Sequence, residues 1–173
     1  MKHLVIAEKP SVGSDIARVL QCSDKQQGYI SGEDYIVTWG IGHLVTNCLP
    51  EEIDPALKSW KLDTLPIMPN PLPIKVIPDT KKQYDIVKGL MNAPDVDSII
   101  CATDAGREGE LIFRYIYQMA ECTKPVQRLW ISSMTPQAIR EGFQQLRSDA
   151  DYRTFMASPA RFERAAFRLG AKT

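Results

Sequence analysis

Two short apolar runs, each cut off by an acid-bearing turn that opens a helix, constrain this chain more tightly than any other feature. His3-Leu-Val-Ile-Ala7 reads as a buried strand and gives way directly to Glu8-Lys9-Pro10. Ser11 is placed to cap a helix through Leu20, with Val12, Ile16, Val19 and Leu20 on one face. The arrangement returns much later. Ser98-Ile-Ile-Cys-Ala102 is a second buried strand, followed by Thr103-Asp-Ala-Gly-Arg-Glu-Gly-Glu110. Beyond that turn Leu111, Ile112, Tyr115, Ile116 and Met119 repeat at helical spacing. Val126–Ile131 reads as a third strand, and Thr135-Pro136 opens a further helix to about Leu146. Strands alternating with helices predict an α/β fold: an open, mainly parallel sheet with helices on both faces.

Between the two strand–turn–helix units the chain is less regular. Tyr29–Gly32 and Asp34–Trp39 form a candidate hairpin around Gly32-Glu33-Asp34. Prolines at 66, 69, 71, 73 and 78 exclude a helix there and predict an extended connector. Asp79-Thr80 then stands where it can cap a helix from Lys81 to Met91. No internal repeat or low-complexity segment interrupts the pattern.

A chain of 173 residues fits one domain, or one domain and the start of another, and can bury a core without a disulfide or metal staple. Its four cysteines (22, 48, 101, 122) form no C-x-x-C pair, which argues against a zinc or redox motif; Cys101 reads as a small core residue. With no signal peptide and no apolar run near membrane length, reduced thiols and a cytoplasmic, membrane-free protein are expected. Formal net charge is zero, so bulk charge gives no polyanion signature. The balance is uneven, however. Residues 1–123 carry 12 Lys+Arg against 17 Asp+Glu, a formal −5; residues 124–173 carry 9 against 4, a formal +5. Solvated helix faces explain that asymmetry, as does an acidic site followed by a phosphate-facing surface.

Chemistry concentrates where the strands end. In an open parallel sheet, ligands bind beyond the carboxyl ends of the strands. If the two apolar runs are neighbours, Glu8, Asp104 and Glu108 converge there. Carboxylate oxygens beside a small-residue turn suit Mg²⁺, which keeps several waters and takes few protein ligands. Gly106 and Gly109 give the backbone room to bend and to approach a ligand, and Arg107 can neutralise the acids or reach a phosphate. Taken alone, D-x-G-x-E is equally the spacing of a solvated acidic turn.

The longer motifs are specific. Val5-Ile-Ala-Glu-Lys-Pro-Ser11 and Ala102-Thr-Asp-Ala-Gly-Arg-Glu-Gly-Glu-Leu-Ile112 resemble the toprim domain of type IA DNA topoisomerases, in particular the bacterial topoisomerase III branch. Thr38-Trp-Gly-Ile-Gly-His-Leu44, Trp60-Lys-Leu-Asp-Thr-Leu-Pro66, Asp79-Thr-Lys-Lys-Gln83 and Ser133-Met-Thr-Pro-Gln-Ala-Ile139 match in the same order. The resemblance implies a Rossmann-like toprim domain over residues 1–150, with 151–173 opening a helical, DNA-contacting domain. It implies Glu8 as general acid/base near the metal, and Lys9 as a fixed cation beside the scissile phosphate. It further implies Asp104 and Glu108, with Glu8 nearby, as Mg²⁺ ligands, and Arg107 as the arginine of the metal motif. Trp60 corresponds to a tryptophan near bound single-stranded DNA, although a packed aromatic would read the same. Arg161 is the best match to the family's arginine-rich helix; Arg164 and Arg168 follow at helical spacing, as phosphate contacts or as a solvated face.

One departure within the metal motif accompanies the match. The middle acid of D-x-D-x-E is Gly106, which favours a single Mg²⁺ over a metal pair. His43, in a Gly-x-Gly-His turn, reads as structural. The family cleaves DNA with a tyrosine in a separate downstream domain. Tyr29, Tyr35, Tyr84, Tyr115, Tyr117 and Tyr152 do not lie in that context. The chain is therefore expected to be a fragment, inactive alone, whose partners are single-stranded DNA and the remaining domains of its polypeptide; its oligomeric state is open. The competing expectations are a toprim-type primase or metal-dependent nuclease, and a non-catalytic nucleic-acid-binding module.

Overall fold

The computed structural model describes residues 1–58 and 71–150. Trp60, Arg161 and the 151–173 segment lie outside the described residues. The first apolar run is the centre of the fold: β1 (Lys2–Ala7) pairs in parallel with β4 (Tyr35–Trp39) on one side and β7 (Val96–Ala102) on the other. Both faces of β1 are covered, so it reads as a continuous apolar run with no polar alternation. The sheet continues through β8 (Val126–Arg128), parallel to β7, giving four adjacent parallel strands. Its margins are antiparallel. β2 (Asp24–Gln26) and β3 (Tyr29–Ser31) close one side, and β9 (Arg147–Ser148) closes the other. The order among the described residues is β2-β3-β4-β1-β7-β8-β9.

Alternate residues of the central strands feed two cores. Leu4, Ile6, Ile99 and Cys101 pack with α3 (Lys81–Met91) and α4 (Arg107–Met119) through Tyr84, Val87, Ile112, Phe113 and Ile116. Val5, Ala7, Ile100 and Ala102 face the opposite way, onto Ile16 and Ala17 of α1 (Pro10–Val19) and Ile139 of α5 (Pro136–Gln144). This is the predicted α/β architecture with helices on both faces. Cys101 is a core residue, and burial pushes its thiol up to about 11. Among the described residues no helix is long and apolar enough to cross a membrane.

Local details depart from the sequence reading. The first helix begins at Pro10 with Lys9, not Ser11, in the capping position. Proline's fixed φ suits the first helical residue and its missing N–H leaves no donor there to satisfy, so the helix starts two residues early. Thr80 precedes α3, but its hydroxyl donates to the Ile77 and Leu44 carbonyls and does not cap the helix. Thr135 does cap α5, accepting from the Ala138 amide at 3.3 Å. Inside the proline-rich stretch, β6 (Ile74–Val76) pairs with β5 (Val45–Asn47) as a small antiparallel sheet. Pro73 and Pro78 flank that strand and interrupt none of its bonds. The third apolar run stops at Arg128 because its partner β7 ends one residue past the Cys101–Arg128 pairing.

Candidate active site

Register decides which acids meet. Ala7 pairs with Ala102 at the carboxyl ends of β1 and β7, so the next residues of both strands leave the sheet together. The Glu8 carboxylate accepts the backbone N–H of Asp104 at 3.0 Å. Two acids 96 positions apart are thereby held in one rim, Glu8 half-buried and Asp104 exposed. Lys9 follows as the exposed residue that opens α1.

Glu108 stands in the first turn of α4, and Arg107 is the helix's first residue. The Glu108 side chain is 82% exposed, and its Oε1 lies 3.6 Å from Nε2 of His43. The third strand end thus contributes to the rim as well. The β4 end runs into Gly40-Ile-Gly-His43, anchored by the Gly40 N–H on the Ala7 carbonyl at 2.9 Å. Gly42 there has φ +83°, a left-handed backbone that favours glycine. Gln83 of α3 donates to the Trp39 carbonyl at 2.8 Å and fixes the start of this loop. His43, read from sequence as structural, faces the Glu108 carboxylate.

The acid-bearing turn itself is tightly built. A Cβ on Gly109 would lie 2.3 Å from the Asp104 carbonyl oxygen and 2.9 Å from its nitrogen, so only glycine allows the first turn of α4 to pack on Asp104. Gly106 differs: its backbone is extended, and no atom lies within 4 Å of the place a Cβ would take. A carboxylate side chain would fit there. The missing middle acid is a chemical choice that sterics do not impose.

Beneath the rim lies a network that the motifs did not single out. Glu110 is 0% and Arg128 2% exposed. Arg128 Nε lies 3.0 Å from Glu110 Oε2, near enough for strong attraction but misaligned for a hydrogen bond. The Arg128 guanidinium donates to the carbonyls of Cys101 (2.9 Å), Thr103 (2.8 Å), Leu129 (3.1 Å) and Asp104 (2.8 Å). Glu110 also accepts from Arg114 Nε at 2.9 Å, and Arg114 pairs in turn with Asp149. Burial works against the Arg114 charge, but Asp149 and Glu110 outweigh it and the net shift is upward. Sequence carried one signal of this network, a charged residue inside an apolar strand run.

Among the described residues no three His, Cys, Asp or Glu side chains are grouped closely enough to hold a metal between them. The Glu8 carboxylate meets the Asp104 backbone amide, and Glu108 turns outward to His43. A donor set of one or two carboxylates at a solvent-exposed rim fits Mg²⁺, which keeps much of its water and completes its shell with substrate phosphate. It does not fit an ion that needs an all-protein cage.

An open parallel sheet with acids at adjacent strand ends defines a toprim-type centre, and the Toprim domain family model matches residues 3–134: the chain belongs to that family. Within it, the chain is similar to proteins named DNA topoisomerase 3. It is 54% identical over 151 residues to that of Bacillus subtilis (strain 168), covering 87% of this chain and 21% of the relative. It is 49% identical over 169 residues to that of Shouchella clausii (strain KSM-K16), covering 98% and 23%. The chain thus spans about a fifth of the length of these relatives. Full-length topoisomerase I from Thermotoga maritima shares the fold, with a TM-score of 0.55 at 22% identity over 84% of this chain and 21% of that one.

Proposed function

We propose that this chain is the toprim part of a type IA DNA topoisomerase of the topoisomerase 3 kind. In this reading it binds Mg²⁺ and supports cleavage and religation of single-stranded DNA by a tyrosine carried on another domain of the same polypeptide. The observation that carries the reading is the Glu8–Asp104 contact, which unites the acid/base glutamate and the first metal-motif acid at one sheet edge. The similarity to DNA topoisomerase 3 proteins over most of this chain supports the same assignment.

The residues divide the work. Glu8 holds and returns the proton exchanged at the attacking or leaving oxygen. Lys9 stabilises charge that develops on the phosphate. Asp104 and Glu108 hold Mg²⁺, which when bound supplies positive charge beside that phosphate. Arg107, at the positive end of α4, takes a neighbouring phosphate, and Trp60 and Arg161 contact the DNA strand. The described tyrosines are all committed to the fold. Tyr84 is buried, Tyr115 and Tyr117 donate to Asn47 and the Lys124 carbonyl, Tyr35 packs on Phe143, and Tyr29 lies against the core. That distribution supports a nucleophile from outside this chain.

Calorimetric titration of Mg²⁺ is the direct test. A weak saturable signal is expected, reduced on the order of tenfold in Asp104→Asn and in Glu108→Gln; an absent signal, or one indifferent to both changes, overturns the metal assignment. Supercoiled plasmid should survive incubation with this chain and Mg²⁺. Relaxation by the chain alone refutes the external tyrosine, and metal-dependent nicking lost in Glu108→Ala moves the reading to a nuclease. Grafted into the Bacillus subtilis DNA topoisomerase 3 in place of the matching region, the chain should sustain relaxation, and Glu8→Gln in the same graft should abolish it.

Gly106→Asp gives a second prediction. The added acid has room, stands at the helix N-cap, and should stabilise the protein by a few tenths of a kcal/mol. Mg²⁺ affinity should rise several-fold through the extra charge, roughly as ligand charge count tunes other oxygen-ligand sites. Calorimetry and thermal unfolding on one sample read both effects.

A further inference from the structure

We propose that Glu110 and Arg128 are positioning residues for the acid-bearing turn, holding Asp104 where its amide meets Glu8. The inference rests on the reading that Glu8 and Asp104 carry the chemistry. It assigns a task to a buried ion pair that the metal motif and the proposed mechanism leave unused.

Stability alone is a weak reason to bury such a pair, because apolar residues of similar volume often serve as well or better. The geometry supplies another reason. The ladder between β7 and β8 ends at Cys101 opposite Arg128, so the backbone past that point loses its partner on the β8 side. Arg128 takes over that partner's role. One guanidinium nitrogen collects the Cys101, Thr103 and Leu129 carbonyls, and the other reaches the Asp104 carbonyl at 2.8 Å. The same peptide segment presents the Asp104 N–H to Glu8 at 3.0 Å. A planar fork can fix several carbonyls at once, which an ammonium cannot do.

Glu110 fixes the fork in turn. It lies beside Arg128 Nε at 3.0 Å, its other oxygen is held by Arg114 at 2.9 Å, and the Trp130 ring covers the guanidinium at 5.2 Å. Glu110 also belongs to α4 two residues past Glu108, so one buried pair ties both acid-bearing segments to the sheet.

The test compares wild type with Arg128→Lys, which keeps the charge and loses the fork, and Glu110→Gln, which keeps the volume and loses the charge. Glu8→Ala, which removes the acceptor, identifies the Asp104 amide signal that depends on the Glu8 bond. In ¹⁵N-labelled protein, Asp104 amide exchange should accelerate about tenfold or more in Arg128→Lys and Glu110→Gln, while Val5 and Ile100 in the central strands keep their protection. Mn²⁺ affinity, read by its paramagnetic relaxation, should fall about tenfold in both, the usual range for residues that orient ligands from behind. An unchanged Asp104 amide in both variants overturns the proposal. So does loss of protection across the central strands in step with Asp104, which marks a purely structural pair. If wild type takes up no Mn²⁺, the metal reading fails, and the Asp104 amide still decides the positioning role. Should Arg128→Lys not fold, Glu110→Gln alone carries the comparison.

Discussion

Replacing Arg128 by alanine should cost the folded protein about 3–5 kcal/mol, the range for breaking a buried ion pair by removing one partner. Two effects act in opposite directions within that range. Arg114 still holds one oxygen of Glu110, which limits the penalty of the stranded carboxylate. Against this, the buried Thr103 carbonyl loses its Arg128 donor, and an unsatisfied buried acceptor costs about 1–3 kcal/mol. That loss keeps the total high, while the Asp104 carbonyl retains the Gly106 N–H at 2.8 Å. Urea unfolding measures it, and a loss below about 1 kcal/mol would show that water replaces the guanidinium without penalty. Pairing Glu110→Met with Arg128→Met separates the contributions. The charge imbalance then disappears, and a residual loss of about 1–3 kcal/mol would belong to the carbonyl clamp.

Gly109→Ala carries the second large effect, and its sign is the informative part. A helix-interior Gly→Ala change ordinarily stabilises by about 0.5–1 kcal/mol. Here the new methyl would lie 2.3 Å from the Asp104 carbonyl oxygen, a contact no side-chain rotation relieves because the obstacle is backbone. Overpacking of that kind costs about 1–3 kcal/mol, so the clash outweighs the propensity gain. The turn can escape only by moving Asp104, which breaks its contact with Glu8. Loss of stability and loss of Mg²⁺ affinity should therefore appear together. Gly89→Ala in α3, where nothing lies within 4 Å, is the matched control and should stabilise. Equal responses at the two glycines, measured by chemical unfolding, would refute the packing argument.

The sequence determined the elements that set the architecture, because their signals are local. Apolar runs too continuous for a one-sided strand became β1 and β7, and the 3.6-residue spacing of Leu111, Ile112 and Ile116 became the buried face of α4. The acids of the rim were legible for the same reason: each lies in the short turn, or first helical turn, that follows a strand end. The weak pairings were not legible. β2, β5, β6 and β9 are two or three residues long and depend on partners elsewhere in the chain. Only the tertiary structure decided that Glu8 bonds the Asp104 amide, since this depends on the Ala7–Ala102 register between strands far apart in the chain. Likewise, His43 faces Glu108 because α3 and β1 anchor the β4 loop, and no neighbour in sequence announces it. The burial of Arg128 is the clearest case. Its charge is visible in the sequence, but the carboxylate and the carbonyls that make burial tolerable come from α4 and the turn after β7 and meet only when the sheet forms.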